Sequence, residues 1–204
     1  RTNQTECEVG HYCVFGERFN CSAGRYGALS GLSSADCSGE CPLNHYCGES
    51  TVNPVACPPK STSAKSSSSL ADCTCVEGYY LDGERCVQCP PGHYCGEGSS
   101  EEDIESCSPS GNSANQYFCF SGLREEVGKG YYSHGGTNNM TRTNETECEV
   151  GHYCVDGQRF NCSAGKYGDR LGLSSSDCSG ECKEGEFSTS GQQECMKCDA
   201  GYHC

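Results

Sequence analysis

The chain has 204 residues, a net charge of −14 and 22 cysteines. Leu, Ile, Val and Phe together number only 24, too few to fill one large core, and apolar content and charge alone would predict disorder. Cysteine above roughly 8–10% of a chain reverses that expectation: it marks a disulfide scaffold in an oxidising compartment, secreted, cell-surface or lumenal. The acidic balance argues against nucleic acid and anionic membranes as partners. No apolar run approaches a membrane span, so no direct membrane insertion is expected of this segment.

In chain order, the first element is a cysteine-rich repeat, residues 1–41. It holds "CEVGHYC" at Cys7 and the loop "CSAGRYGALSGLSSADC" at Cys21. Residues 42–106 form a second group, with "CPLNHYC" at Cys41, "CPPKSTSAKSSSSLADC" at Cys57, "CVEGYYLDGERC" at Cys75 and "CPPGHYC" at Cys89. Residues 107–141 read as a connector. Its "GKGYYSHGG" sets adjacent aromatics between glycines and suggests a short hairpin. Residues 142–182 repeat the first element without a gap at an offset of 141, with 33 of 41 positions identical. Phe15 becomes Asp156 between the copies, which says that this position is not in a core. Residues 183–204 begin a further module, "CKEGEFSTSGQQEC" and "CDAGYHC". The chain starts at Arg1 without methionine and stops inside a motif, so it is expected to be a segment of a longer secreted product.

Two templates therefore recur: C-x5-C with an aromatic–His pair before the second cysteine, and a longer serine- and glycine-rich loop. Helical periodicity is absent, and Gly, Ser, Pro and Asn punctuate throughout. The expected fold is small and disulfide-rich, an elongated tandem array of short β-ribbon and loop modules with little hydrophobic core and almost no helix.

Cys73 and Cys75, in "CTC", are too close to pair comfortably. If Cys57 closes on Cys73, Cys75 must open the next loop. Strictly sequential pairing then uses every cysteine: Cys7–Cys13, Cys21–Cys37, Cys41–Cys47, Cys57–Cys73, Cys75–Cys86, Cys89–Cys95 and Cys107–Cys119. The second copy continues as Cys148–Cys154, Cys162–Cys178, Cys182–Cys195 and Cys198–Cys204. Fourteen cysteines fill one 141-residue period, an even number that lets each period close on itself. An interleaved scheme, with the C-x5-C cysteines reaching outward to neighbours, is the alternative. Cys86/Cys89 and Cys195/Cys198 have C-x2-C spacing, but each is followed by a lone cysteine rather than the second pair a zinc module needs. No metal is expected.

"CPPKSTSAKSSSSLADCTCVEGYYLDGERC" resembles the cysteine-rich segment of ephrin receptors, and its tail resembles the end of an epidermal-growth-factor module. "CSAGRYGALSGLSSADCSGECPLNHYC" resembles ephrin-receptor-like repeats of extracellular protist and algal surface proteins, themselves distantly similar to tumour-necrosis-factor-receptor modules. The resemblance implies a disulfide-laddered rod outside a cell and names no ligand. "EEDIESC" before Cys107 lacks the acidic residue that calcium-binding growth-factor modules carry directly before the cysteine.

His11, His45, His93, His152 and His203 sit in the C-x5-C template, and His134 stands apart in "YYSHGG". Cys–His catalysis needs a free thiolate beside a base. Five copies with oxidised cysteines do not meet that need, so tyrosine rings over disulfides and histidines in half-exposed turns are the structural expectation. "REEVGK" and "SSEEDIES" read as solvated turns, the serines at 66–69 as an O-glycan carrier or a flexible loop, and no general acid–base pair is evident. No catalytic residue, cofactor or enzyme activity is expected. The N-x-S/T sequons at Asn3, Asn20, Asn139, Asn144 and Asn161 predict covalent N-linked glycans on the surface. The reading of function is a structural extracellular glycoprotein that associates with copies of itself as a filament, stalk, appendage or coat. The alternative is a receptor or adhesin ectodomain that binds a protein or glycan.

Overall fold

The computed structural model describes residues 4–108 and 115–204. Among them there are eleven two-stranded antiparallel sheets, no α-helix, and two single 3₁₀ turns at Leu70–Asp72 and Glu101–Asp103. Strands are two or four residues long.

One local device starts most of these hairpins. A residue three places after a cysteine takes the left-handed conformation, and an aromatic residue follows two places later, except after Lys60, where Thr62 stands in that place. Gly10, Gly24, Gly78, Gly92, Gly151, Gly165 and Gly185 hold φ between 74° and 86° at that point, and Asn44 and Lys60 hold 62° and 66°. At Gly10 space as well as φ excludes a side chain: a Cβ there would lie 2.6 Å from the Ser50 carbonyl oxygen. Glycine is the default solution because it reaches positive φ without steric cost. The following residues then enter the strand, as His11–Val14, His45–Tyr46 and His93–Tyr94 do.

The same turn residues carry main-chain hydrogen bonds from one module to the next. The N–H of Cys21 donates to the Gly10 carbonyl, Cys41 to Gly24, Cys57 to Asn44, Cys162 to Gly151, Cys182 to Gly165 and Cys198 to Gly185, at 2.8–3.0 Å. Bonds also run the other way, Gly10 to the Gly27 carbonyl and Gly24 to the Cys47 carbonyl. Neighbouring modules are thus stitched by backbone, which frees their side chains from that task.

The chain divides into two compact units, Arg1–Gln88 with Gly96–Asp103, and Cys89–Cys95 with Ile104–Cys204. Each has a core made of sulfur. Of the fifteen buried apolar residues among those described, fourteen are cysteines and one is Leu173. The cysteines are joined in eleven disulfides between sequence neighbours, with separations of 6 to 16 residues and none free.

The two copies of the 41-residue repeat fold alike. His11–Val14 pairs with Glu17–Asn20, as His152–Val155 pairs with Gln158–Asn161. Tyr12 stacks on Phe19 at 5.4 Å, and Tyr153 stacks on Phe160 at 5.4 Å. Tyr153 thus meets a cross-strand phenylalanine and also packs, as expected, against the buried cluster of Leu173 and the Cys162–Cys178 disulfide. Phe15 is fully exposed at the tip of its hairpin.

Residues 107–141 hold more strand than the expected single hairpin. Tyr117–Phe120 pairs with Leu123–Glu126 across the turn Ser121–Gly122, where both φ values are positive. The Glu125–Glu126 acids of "REEVGK" are therefore strand residues. Tyr131–His134 pairs with Asn144–Glu147. The serine run is also ordered: Ser67 is buried, and the Asp72 carboxylate accepts from the N–H groups of Ser68 and Ser69. Those bonds, the one from the Ser68 backbone first, hold the Asp72 carboxyl below its ordinary pKa.

Candidate functional site

Four of the five histidines of the C-x5-C template do the same local job. Nδ1 of His11, His45, His93 and His152 lies 2.9–3.1 Å from the carbonyl two residues earlier. A carbonyl only accepts, so the proton sits on Nδ1 and ties the ring back to its own turn. Every cysteine is in a disulfide, so none offers a thiolate. Among the described residues no three His, Cys, Asp or Glu side chains come together as a metal cage.

A polar cluster in the second unit is more developed. Tyr132 lies on the strand Tyr131–His134, and its hydroxyl donates to Glu149 Oε1 at 3.1 Å. Arg159, on the strand Gln158–Asn161, donates to the same oxygen at 3.0 Å, and its guanidinium lies 5.3 Å from the Tyr132 ring centroid. His134 packs against Tyr132 at 5.9 Å and bonds Thr146 Oγ1 at 2.7 Å. Burial, then the Glu149 carboxylate, pushes the Tyr132 phenol up. Burial acts to raise the Glu149 carboxyl, but hydrogen bonds from its own backbone, Arg159 and Tyr132 outweigh it and leave the pKa lowered. Beside the cluster a cleft of about 410 Å³ is lined by Asn115, Tyr132, His134, Arg142 and Arg159, among others. Asn115 Oδ1 and Arg142 Nε, of residues in its lining, and Glu149 Oε2 in the adjoining cluster are buried without a hydrogen-bond partner.

Sequence reasoning missed this cluster. The signal was present: Glu8 and Arg18 recur as Glu149 and Arg159, ten residues apart in both copies. The first unit has its own open cleft of about 250 Å³, lined chiefly by Pro58, Leu70, Ala71 and Leu81 with two disulfide cysteines.

The sequon asparagines Asn20, Asn139, Asn144 and Asn161 are exposed, and Asn3 lies outside the described residues. Asn20 Nδ2 donates to Glu49 Oε1 at 2.9 Å. Asn139 lies in a turn and Asn144 starts a strand. These sites are not brought together with the Tyr132 cluster into one constellation, although Asn144 borders it through the strand pair His134–Asn144.

Fold and sites together define a cysteine-rich protein of many small disulfide-bonded β-hairpin modules. The disulfides point to an oxidising environment, and among the described residues no helix is long and apolar enough to cross a membrane. In comparison with known proteins, no family model matches this chain and no curated protein is significantly similar to it.

Proposed function

We propose that this chain is a structural segment of an extracellular glycoprotein, built into a surface filament, stalk, appendage or coat. The observation that carries the reading is the pair of repeats 141 residues apart, 33 of 41 positions identical, with the same hairpins and stacked rings. Identical surfaces at a fixed interval along a chain are what a linear or helical assembly uses. Backbone stitching and disulfides support it, because a module that needs no large side-chain core can be repeated at will. On this reading the partners are further copies of the repeat, the exposed sequons carry N-linked glycans, and the protein is neither an enzyme nor a nucleic-acid binder. The ephrin-receptor-like spacing fits the same extracellular role.

Electron microscopy of native material tests this. The expected particle is a filament or ordered layer with one constant repeat along it, whose mass shifts on enzymatic deglycosylation. Dispersed single copies anchored in a membrane would overturn it. They would favour the second reading, a receptor or adhesin ectodomain, which the apolar cleft at Leu70 and Leu81 supports. Leu81→Asp would then abolish ligand capture.

A further inference from the structure

The two copies of the repeat differ in what lies against them. In the second copy, the segment Val127–His134 covers the repeat. The Cys148 N–H donates to the Gly130 carbonyl at 2.8 Å, and the Ser133 N–H donates to the Gly157 carbonyl at 3.0 Å. Gly130 packs directly on the Gly172 carbonyl, and the Tyr132 hydroxyl and ring close over Glu149 and Arg159. Tyr131–His134 pairs along Asn144–Glu147.

In the first copy every receiving group is present. Glu6 and Thr5 stand for Glu147 and Thr146, Cys7 for Cys148, Glu8 for Glu149, Gly16 for Gly157, Arg18 for Arg159 and Gly31 for Gly172. The Glu8–Arg18 pair is formed at 2.9 Å, as Glu149–Arg159 is at 3.0 Å. Yet among the described residues nothing plays the part of Val127–His134. Among the described residues Gln4–Glu6 meets no strand partner, and neither the Cys7 N–H nor the Gly16 carbonyl meets a backbone partner. Side chains of Arg18 and Glu8 are 58% and 68% exposed, against 45% and 44% for Arg159 and Glu149. Leu32 is only partly buried where Leu173 is buried. An open cleft of about 600 Å³ runs over Gln4–Glu8, Gly16 and Arg18.

We propose that this surface of the first copy is a docking site for one strand, the Val127–His134 segment of another copy of the repeat. The strand adds to the free edge at Gln4–Glu6 by main-chain hydrogen bonds, the mode of recognition in which an extended segment completes a sheet. It places its glycine against Gly31 and gives its carbonyl to the Cys7 N–H. Its second tyrosine donates to Glu8 while the ring lies under the Arg18 guanidinium, a charge-assisted bond and a cation–π contact at one point. Glycine and tyrosine at these two places set the specificity: a side chain in place of the glycine meets backbone, and another residue in place of the tyrosine leaves the ion pair uncovered. The proposal deepens the assembly reading and rests on it only for the origin of the strand.

The test is a chain extended before Arg1 by a second copy of residues 120–141, so that the added strand stands in the register seen at the second copy, read by hydrogen exchange of single amides. The Cys7 amide is expected to slow by about tenfold or more relative to the unextended chain, approaching Cys148, which serves as the internal reference. Changing the added copy's second tyrosine, Tyr132→Ala in repeat numbering, or Arg18→Ala in the first copy, is expected to reverse most of that protection. Unchanged exchange at Cys7 beside a protected Cys148 overturns the proposal, as does protection that survives both substitutions. Failure here leaves the filament reading standing, since imaging decides that. Protection together with native material that forms no filament keeps the docking site and discards the filament.

Discussion

At the scale of single residues, backbone conformation outranks side-chain identity in this protein. Phe15 and Asp156 occupy the same place in the two copies, the first position of a two-residue hairpin turn, with φ 52° and 50°. Both central residues of such a turn need positive φ, which favours Asn, Asp and Gly and penalises a bulky ring. Phe15 is fully exposed and gains no burial in return. Phe15→Asp is therefore expected to stabilise the first unit by about 0.5–1 kcal/mol, read as a higher guanidinium midpoint with an unchanged slope; a lower midpoint would mean that the ring has a contact of its own. The copy comparison already showed that the position is not core. It did not show a turn, because "VFGE" lacks the Asn-Gly or Asp-Gly pair that marks one, whereas "VDGQ" carries it.

At the scale of elements, the hairpin and its disulfide form the unit of stability. A closed loop restricts the unfolded chain more as it lengthens. Cys21–Cys37 spans 16 residues and Cys41–Cys47 spans 6, both in the first unit, with Cys21, Cys41 and Cys47 fully buried and Cys37 partly so. Replacing the first pair by alanines is expected to cost about 3 kcal/mol and the second about 2 kcal/mol by loop entropy, in the same order in denaturant titrations; the reverse order would show that packing around the sulfurs, not chain restriction, dominates. Much of the element pattern was legible: short ribbons, no helical period, a hairpin at "GYYSHGG". What was not legible is that the two cysteine templates are one. "CEVGHY" and "CSAGRY" look different only because the next cysteine falls at different distances. The turn at the fourth residue and the aromatic at the sixth are common to both, and they set the strand. Lys60 hid the rule further by adopting a φ that sequence reading reserves for glycine. The Tyr132–Glu149–Arg159 cluster was hidden for another reason: the repeated spacing links Glu149 to Arg159, but Tyr132 comes from a different hairpin and no spacing rule joins it to them.

At the scale of the whole molecule, sulfur replaces the hydrophobic core. With fourteen of the fifteen buried apolar residues among those described being cysteine, the described residues hold no reservoir of aliphatic packing to keep the modules together once the bonds are cut. Reduction under otherwise native conditions is expected to collapse amide exchange protection across both units, while the unreduced, denatured protein is expected to show essentially no reactive thiol. Retained protection after full reduction, or two or more thiols per chain before it, would contradict this account.

The order of the disulfides also fixes how a pull along the chain is carried. Each bond joins the two ends of its own loop, so tension crosses from cysteine to cysteine through sulfur and the loop between them stays slack. A loop with a separation of 16 residues, such as Cys162–Cys178, withholds roughly 50 Å of contour from extension. The stretch from Cys119 to Cys148, which no disulfide spans, is where such a pull has to be borne by hairpin hydrogen bonds alone, and a reductant would release the other loops without cutting a single peptide bond.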